Sequence, residues 1–220
     1  MSYLSRQQSI SALGSMQRFH TECTSLFRKH GFDLIDNLGR RNIVMSQAQE
    51  KYFADALAEK HVGVVNDGRT GQPDIIIESL GKELECKLTS RHKGGAISFQ
   101  SDYESLVQKG ELDYLYVIAD ENFGEFAVLH FCGLTIEDFR PLANGSRGKV
   151  AMYKHKGMKK CQVLVGSAIN KNLEYIKGYQ QKLKNPRIRP ATRKKYEEKI
   201  RSWKKKDVSY SFSLERVNEN

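Results

Sequence analysis

The stretch from Gly71 to Thr89, GQPDIIIESLGKELECKLT, restricts what this chain can fold into more than any other. It holds an unbroken apolar run, Ile75 to Ile77, then a break at Leu80-Gly81-Lys82. Beyond the break Leu84, Cys86 and Leu88 alternate with Glu83, Glu85 and Lys87. Two such segments around a glycine predict a β-hairpin. Side chains alternate faces along a strand, so Glu85 and Lys87 point one way and Cys86 the other. Pro73 cannot donate to a ladder and marks a strand start or an edge. An antiparallel return from that point brings Asp74 beside Glu85.

Two carboxylates and an ammonium on one patch suit a hard divalent cation. Mg²⁺ takes oxygens from one or two carboxylates and completes its shell with water and phosphate oxygens. Pro73-Asp74, an eleven-residue step, then Glu85-Cys86-Lys87 resembles the PD-(D/E)xK motif of the restriction-endonuclease-like nuclease superfamily, the type II restriction endonucleases in particular. The resemblance implies that Asp74 and Glu85 ligate Mg²⁺, with Mn²⁺ able to substitute, and that Lys87 serves the attacking water. It further implies hydrolysis of double-stranded DNA to 5′-phosphates by a homodimer, with no small-molecule cofactor. A solvated hairpin with a charged outer face is the alternative reading of the same residues.

The order of elements bears on that choice. Leu13, Met16, Phe19 and Cys23, with Leu26 and Phe27 beyond, predict an opening helix ending near Gly31. Phe32 to Val44 reads as irregular, with Arg40 and Arg41 open to phosphate contact but read in preference as facing water. A second helix is expected from Ser46, as N-cap, to about Lys60, burying Tyr52, Phe53, Ala56 and Leu57. In relatives of the resembled superfamily a helix before the core strands often supplies a further carboxylate, which Glu50 or Glu59 would be here. Complementing the helix N-terminus is the other role open to Glu50. A strand from His61 to Val65, the hairpin, a helix from Ser98 to Lys109 and strands Tyr114–Ala119 and Phe126–Cys132 follow. This matches the α-β-β-β-α-β core that the resemblance implies. The expected class is therefore mixed α+β, a central mixed sheet flanked by helices, with a basic helical insertion near the C-terminus.

Charge locates the expected partner. The net charge is +10, and Lys171 to Lys206 alone carries 14 Lys or Arg against three Glu, so the remainder is nearly neutral. A local cationic surplus points to a polyanion. Two helices, Asn172–Asn185 and Thr192–Lys206, are predicted there, offering Arg193, Lys204 and Lys205 to duplex phosphates. Val208, Tyr210, Phe212 and Leu214 alternate with serines, so the chain is expected to return to a sheet. A further hairpin, Val150–Tyr153 with Cys161–Val165, would carry Lys156, Lys159 and Lys160 on a tip able to enter a groove. Arg69 lies in the loop before Asp74, and Arg91, His92 and Lys93 lie in the loop after Lys87; all four are candidate phosphate contacts.

One nuclease domain is expected over residues 1–220, with a helical segment at 1–45, a catalytic core at 46–140 and basic elements with a closing strand at 141–220. Cys23, Cys86, Cys132 and Cys161 show no CxxC spacing, which argues against zinc and against a disulfide framework. No apolar run reaches the roughly 20 residues that span a bilayer, and the N-terminus lacks a signal core, so a cytoplasmic protein without a membrane partner is expected. The rivals to a restriction-type enzyme are a structure-specific nuclease, such as a junction resolvase or repair nicking enzyme, and a non-catalytic DNA-binding protein.

Overall fold

The computed structural model describes residues 2–69, 72–90, 97–206 and 208–217. Helix α1 (Arg6–Lys29) opens on a capping box, in which the Ser5 hydroxyl takes the Gln8 amide and the Gln8 side chain takes the Ser5 amide. It ends where Gly31 turns to φ +77°. Helix α2 (Leu38–Ala58) begins earlier than the sequence suggests. Asn37 is its N-cap, and its side chain accepts from the Arg40 amide. The expected start at Ser46 is thus corrected, since Ser46 lies inside the helix and its hydroxyl donates to the Ile43 carbonyl. The earlier start also overturns the water-facing reading of Arg41, which becomes fully buried while Arg40 stays exposed.

Strand β1 (Val64–Val65) is shorter than the expected 61–65. The predicted hairpin is present as β2 (Ile75–Ile77) and β3 (Lys82–Ser90), joined by a single 3-10 turn that Gly81 closes at φ +59°. The segment expected to be helical from Ser98 instead begins with strand β4 (Gln100–Asp102). Only Tyr103–Lys109 forms helix α3, capped by Asp102. Strands β5 (Glu111–Ala119) and β6 (Glu125–Thr135) follow. All of β5 after Glu111 is buried, the pattern of a central strand covered on both faces.

The second predicted hairpin does not form. β7 (Lys149–Ala151) pairs with β4, and β8 (Cys161–Val165) pairs with β6. Between them lie a short helix, α4 (Lys154–Gly157), and a 3-10 turn. Both strand assignments are close, but each strand found a partner elsewhere. β9 (Ser167–Asn170), helices α5 (Lys171–Leu183) and α6 (Pro190–Lys205), β10 (Tyr210–Ser213) and β11 (Glu215–Arg216) complete the chain.

Among the described residues the main sheet has seven strands, in the order β1-β2-β3-β5-β6-β11 with β8 also on β6. It is mixed: β3 and β5 run parallel and the other pairs are antiparallel. One face packs on α1 and α2 through Leu13, Met16, Met45, Phe53 and Leu57 against Ile75, Leu84, Leu115, Val117 and Val128. Cutting any one of the large residues among these to alanine costs about 2–5 kcal/mol, which is what holds α2 at the sheet. On the other face Phe99, Tyr116 and Phe131 meet edge to face, at centroid distances of 4.9 to 5.7 Å. The class is therefore mixed α+β with a central mixed sheet flanked by helices, and no helix among the described residues is long and apolar enough to cross a membrane.

The chain divides into two compact units, residues 1–167 with 213–220, and residues 168–212. The elements expected as one basic region from 141 onward are thus shared between them. In the second unit β10 pairs with β9, and α5 and α6 meet along an aromatic seam. Tyr175 stacks on Trp203 at 4.4 Å, and Tyr179 lies 5.5 Å from Tyr196. No residue of α6 is buried. The return to the main sheet is made by β11, where Glu215 pairs with Phe126.

Candidate active site

β2 begins at Ile75, opposite Leu84, so β3 loses its antiparallel neighbour from Glu85 onward. The next amide on that edge, Cys86 N–H, would lack an acceptor. Asp74 supplies one, its Oδ2 lying 2.6 Å from Cys86 N. This bond answers the orphan donor and fixes the carboxylate beside β3. Across the strand Cys86 is buried in the core, which turns Glu85 and Lys87 to the opposite face. Lys87 Nζ stands 3.3 Å from Glu85 Oε2 and 3.9 Å from Asp74 Oδ2. The three residues read from the sequence therefore converge.

Helix α2 adds the fourth. Gln49, fully buried, donates through Nε2 to the carbonyls of Leu115 at 3.1 Å and Lys87 at 3.4 Å, tying the helix to both parallel strands. The next residue is Glu50. Its carboxyl is pushed up to about 7, chiefly by loss of solvent, then by the Asp74 charge; Lys87 opposes the shift and Glu85 adds to it. Glu50 thus shares the electrostatic environment of the motif residues, whereas Glu59 is the exposed C-cap of α2.

Lys109, unremarked in the sequence, belongs to the same patch. Its Nζ lies 2.7 Å from Glu83 Oε2 and 3.9 Å from Glu85 Oε1. A lysine in the last turn of a helix is ordinary, and only the crossover from β3 to the parallel β5 brings it here. A groove of about 370 Å³ adjoins, lined by Lys82, Glu83, Lys109, Glu111 and Asp113.

The donor set fits a hard cation: three carboxylates, no sulfur, and one acid that resists ionisation chiefly because it is withdrawn from solvent and secondly because Asp74 is beside it. Glu50, Asp74 and Glu85 do not close to the mutual spacing of a full ligand cage, which is consistent with an ion that keeps several waters.

The candidate phosphate contacts divide. Arg69 is exposed and forks onto Asp67. Arg91, His92 and Lys93 lie outside the described residues. Lys156 donates to the Glu137 carbonyl at 2.7 Å, and Lys160 to Asp138 Oδ2 at 2.7 Å, so two of the three cations expected on a ribbon tip serve the fold. Lys159 is exposed on the 3-10 turn that replaces that tip. Arg193, Lys204 and Lys205 are exposed on α6. Comparisons with protein-family models, with curated proteins and with solved structures return no match for this chain.

Proposed function

We propose that this chain is a Mg²⁺-dependent endonuclease of double-stranded DNA, resembling the type II restriction endonucleases in its core. The observation that carries the reading is the convergence of Lys87 on both Asp74 and Glu85, with Glu50 in the same field. The element order α2, β1, β2, β3, α3, β5 supports it, being the α-β-β-β-α-β order of the resembled core once the short β4 is set aside. Asp74 and Glu85 would hold the ion and Glu50 would receive hydrogen bonds from its waters. Bound there, Mg²⁺ supplies neutralisation of phosphate charge and a more acidic water.

The chain's own groups do the rest. Lys87 Nζ, held between the acids, is placed to orient a water for in-line attack and to offset charge developing on the phosphate oxygens. The Cys86 amide keeps the Asp74 carboxylate from swinging away. Exposed cations of α6 would bind duplex backbone, and a homodimer would present one site to each strand.

Incubating long duplex DNA with Mg²⁺ or Mn²⁺ and sequencing the ends tests the reading. Discrete 5′-phosphate ends at a common sequence are expected. Binding with steep salt dependence but no hydrolysis under either metal would replace the enzyme with a non-catalytic DNA-binding protein.

A further inference from the structure

Asp113, His130 and Cys132 bring an oxygen, a nitrogen and a sulfur together within the sheet. Their ligand atoms all lie within 4.8 Å of one another, the one such group of His, Cys, Asp or Glu among the described residues. The place is distinct from the carboxylate patch. Asp113 pairs with Leu84, one position before Glu85, and strand alternation puts it on the opposite face from Glu85 and Lys87.

A β-bulge builds the cluster. The β5–β6 register shifts between Leu112, opposite Leu134, and Tyr114, opposite Phe131, so the single residue Asp113 faces both Cys132 and Gly133. Gly133 sits at φ +70° and its amide donates to Asp113 Oδ1 at 2.7 Å, drawing the carboxylate across to β6. His130 and Cys132, two apart on one strand, share that face.

The lone pair of His130 can be assigned. Ser2 Oγ lies 2.7 Å from the Leu4 carbonyl, which has no hydrogen to give, so the hydroxyl proton is committed there. Ser2 Oγ must then accept from His130 Nδ1–H, 2.6 Å away. Nδ1 carries the hydrogen, and Nε2 is left as the acceptor. This is the arrangement of a metal-binding imidazole whose other nitrogen is held by an oxygen.

Nε2 stands 3.7 Å from Cys132 Sγ. Two ligands on a tetrahedral zinc, with Zn–N about 2.0 Å and Zn–S about 2.3 Å, are about 3.6 Å apart. Asp113 is 2% exposed, yet its Oδ2 has no hydrogen-bond partner. Lys82 Nζ makes a long ion pair with it at 3.8 Å, and the Tyr3 hydroxyl stands beside the same carboxylate. A buried carboxylate oxygen paired only at that length can take a metal ion as a closer cation. The Tyr3 ring closes the cluster, edge-on to His130 at 4.5 Å.

We propose that Asp113, His130 and Cys132 hold a borderline transition-metal ion, Zn²⁺ being the best match, and that the ion ties the N-terminal segment at Ser2 and Tyr3 to the bulge between β5 and β6. Cys132 binds as the thiolate and its proton leaves to solvent, so thiolate and carboxylate balance the dication. A hard ion such as Mg²⁺ does not select a thiolate, whereas zinc takes this mixed set. With three protein ligands, the fourth position takes a water.

The test uses the full chain, reduced and stripped of metal, titrated with Co²⁺. Binding of about one Co²⁺ per chain, counted by a thiolate-to-metal charge-transfer band, is expected at this site, and Zn²⁺ should bleach the band. The band is expected to survive in Asp74→Ala, which separates this site from the nuclease reading. Cys132→Ser should lose it, and Asp113→Asn should weaken Co²⁺ at least about tenfold. Zn²⁺ at a hundredfold excess over Kd should raise the Tm of the unaltered chain by at least about 4 °C. Absence of both the band and the Tm shift in the unaltered chain overturns the proposal. So does a band that persists in Cys132→Ser, which would place the sulfur ligand elsewhere.

Discussion

Asp74 Oδ2 accepts the Cys86 amide at 2.6 Å, so one hydrogen bond both ends the ladder between β2 and β3 and aims an acid at the patch holding Glu85 and Lys87. Fold and chemistry can be separated at this residue. Asp74→Asn keeps an oxygen for the amide and removes the charge. It should unfold at nearly the same urea concentration as the unaltered protein but cut DNA at least about 10²-fold more slowly. Asp74→Ala should be as inactive and also lose about 1–2 kcal/mol, because the Cys86 donor is left without its acceptor. An active Asp74→Asn enzyme would remove Asp74 from the metal site.

Lys87 is placed between two acids and adds little apolar packing, since its side chain is 40% exposed. Lys87→Ala is accordingly expected to abolish cleavage while duplex binding measured in Ca²⁺ stays within about threefold. Lys109→Ala, by contrast, removes an ion pair to Glu83 and a longer contact to Glu85, and should slow cleavage without abolishing it. Equal losses in the two variants would show that general positive potential matters, and not the position of Lys87.

Glu50 makes the metal-free protein sensitive to pH. Folding holds its carboxyl at about 7, whereas the unfolded chain releases that proton near 4.5. A folded-state value that is raised favours folding fully below the unfolded value, and the benefit is lost as pH rises through about 7. In EDTA, stability should therefore fall between about pH 5 and pH 8, by about 1–2 kcal/mol more than in Glu50→Gln, a figure reduced for the group's partial exposure. Urea titrations at the two pH values measure it. Matching slopes for the two proteins would mean that Glu50 is neither withdrawn from solvent nor held in the field of Asp74.

Arg41 separates what the sequence reveals from what it conceals. Arg40 and Arg41 are adjacent and chemically alike, and nothing local distinguishes them. Because α2 starts at Leu38, Arg41 falls on the stripe of Met45, Ala48 and Gln49, and its guanidinium reaches the carbonyls of Asp120 and Glu121 and the Ser90 hydroxyl. Arg41→Met should cost about 1.5–3 kcal/mol, by removing the hydrogen bonds that this charged donor makes to those acceptors. Arg40→Ala should stay within about 0.5 kcal/mol. A urea comparison of the two decides it.

The same division holds along the chain. The hairpin and its acids were legible because period-two alternation and the Gly81 break are local signals. The pairing of β7 with β4 and of β8 with β6 was not, since alternation identifies a strand but not its partner. Nor was the cluster of Asp113, His130 and Cys132, which needs the β5–β6 register and its bulge; the absence of CxxC spacing hid it.

The second unit yields the last prediction. Lys204 and Lys205 project from the end of α6, while Lys206 lies with its ammonium 4.2 Å from the Trp203 ring centroid. Helix α6 buries no residue, so its cations are not needed for a core and replacing them leaves the seam of Tyr175 on Trp203 in place. Each cation that neutralises a phosphate releases a counterion and adds about 0.9 to the slope of log K against log salt. Changing Lys204, Lys205 and Lys206 to alanine should weaken binding to every duplex sequence alike and flatten that slope by up to about 3. Lys206 contributes least if its stacking on Trp203 persists against DNA, and the Lys204→Ala, Lys205→Ala pair alone should then account for about 2 of it. A slope unchanged in the triple variant takes the C-terminal end of α6 out of the interface and leaves the unmodified cations, Arg193, Lys159 and Arg69 among them, to hold the duplex.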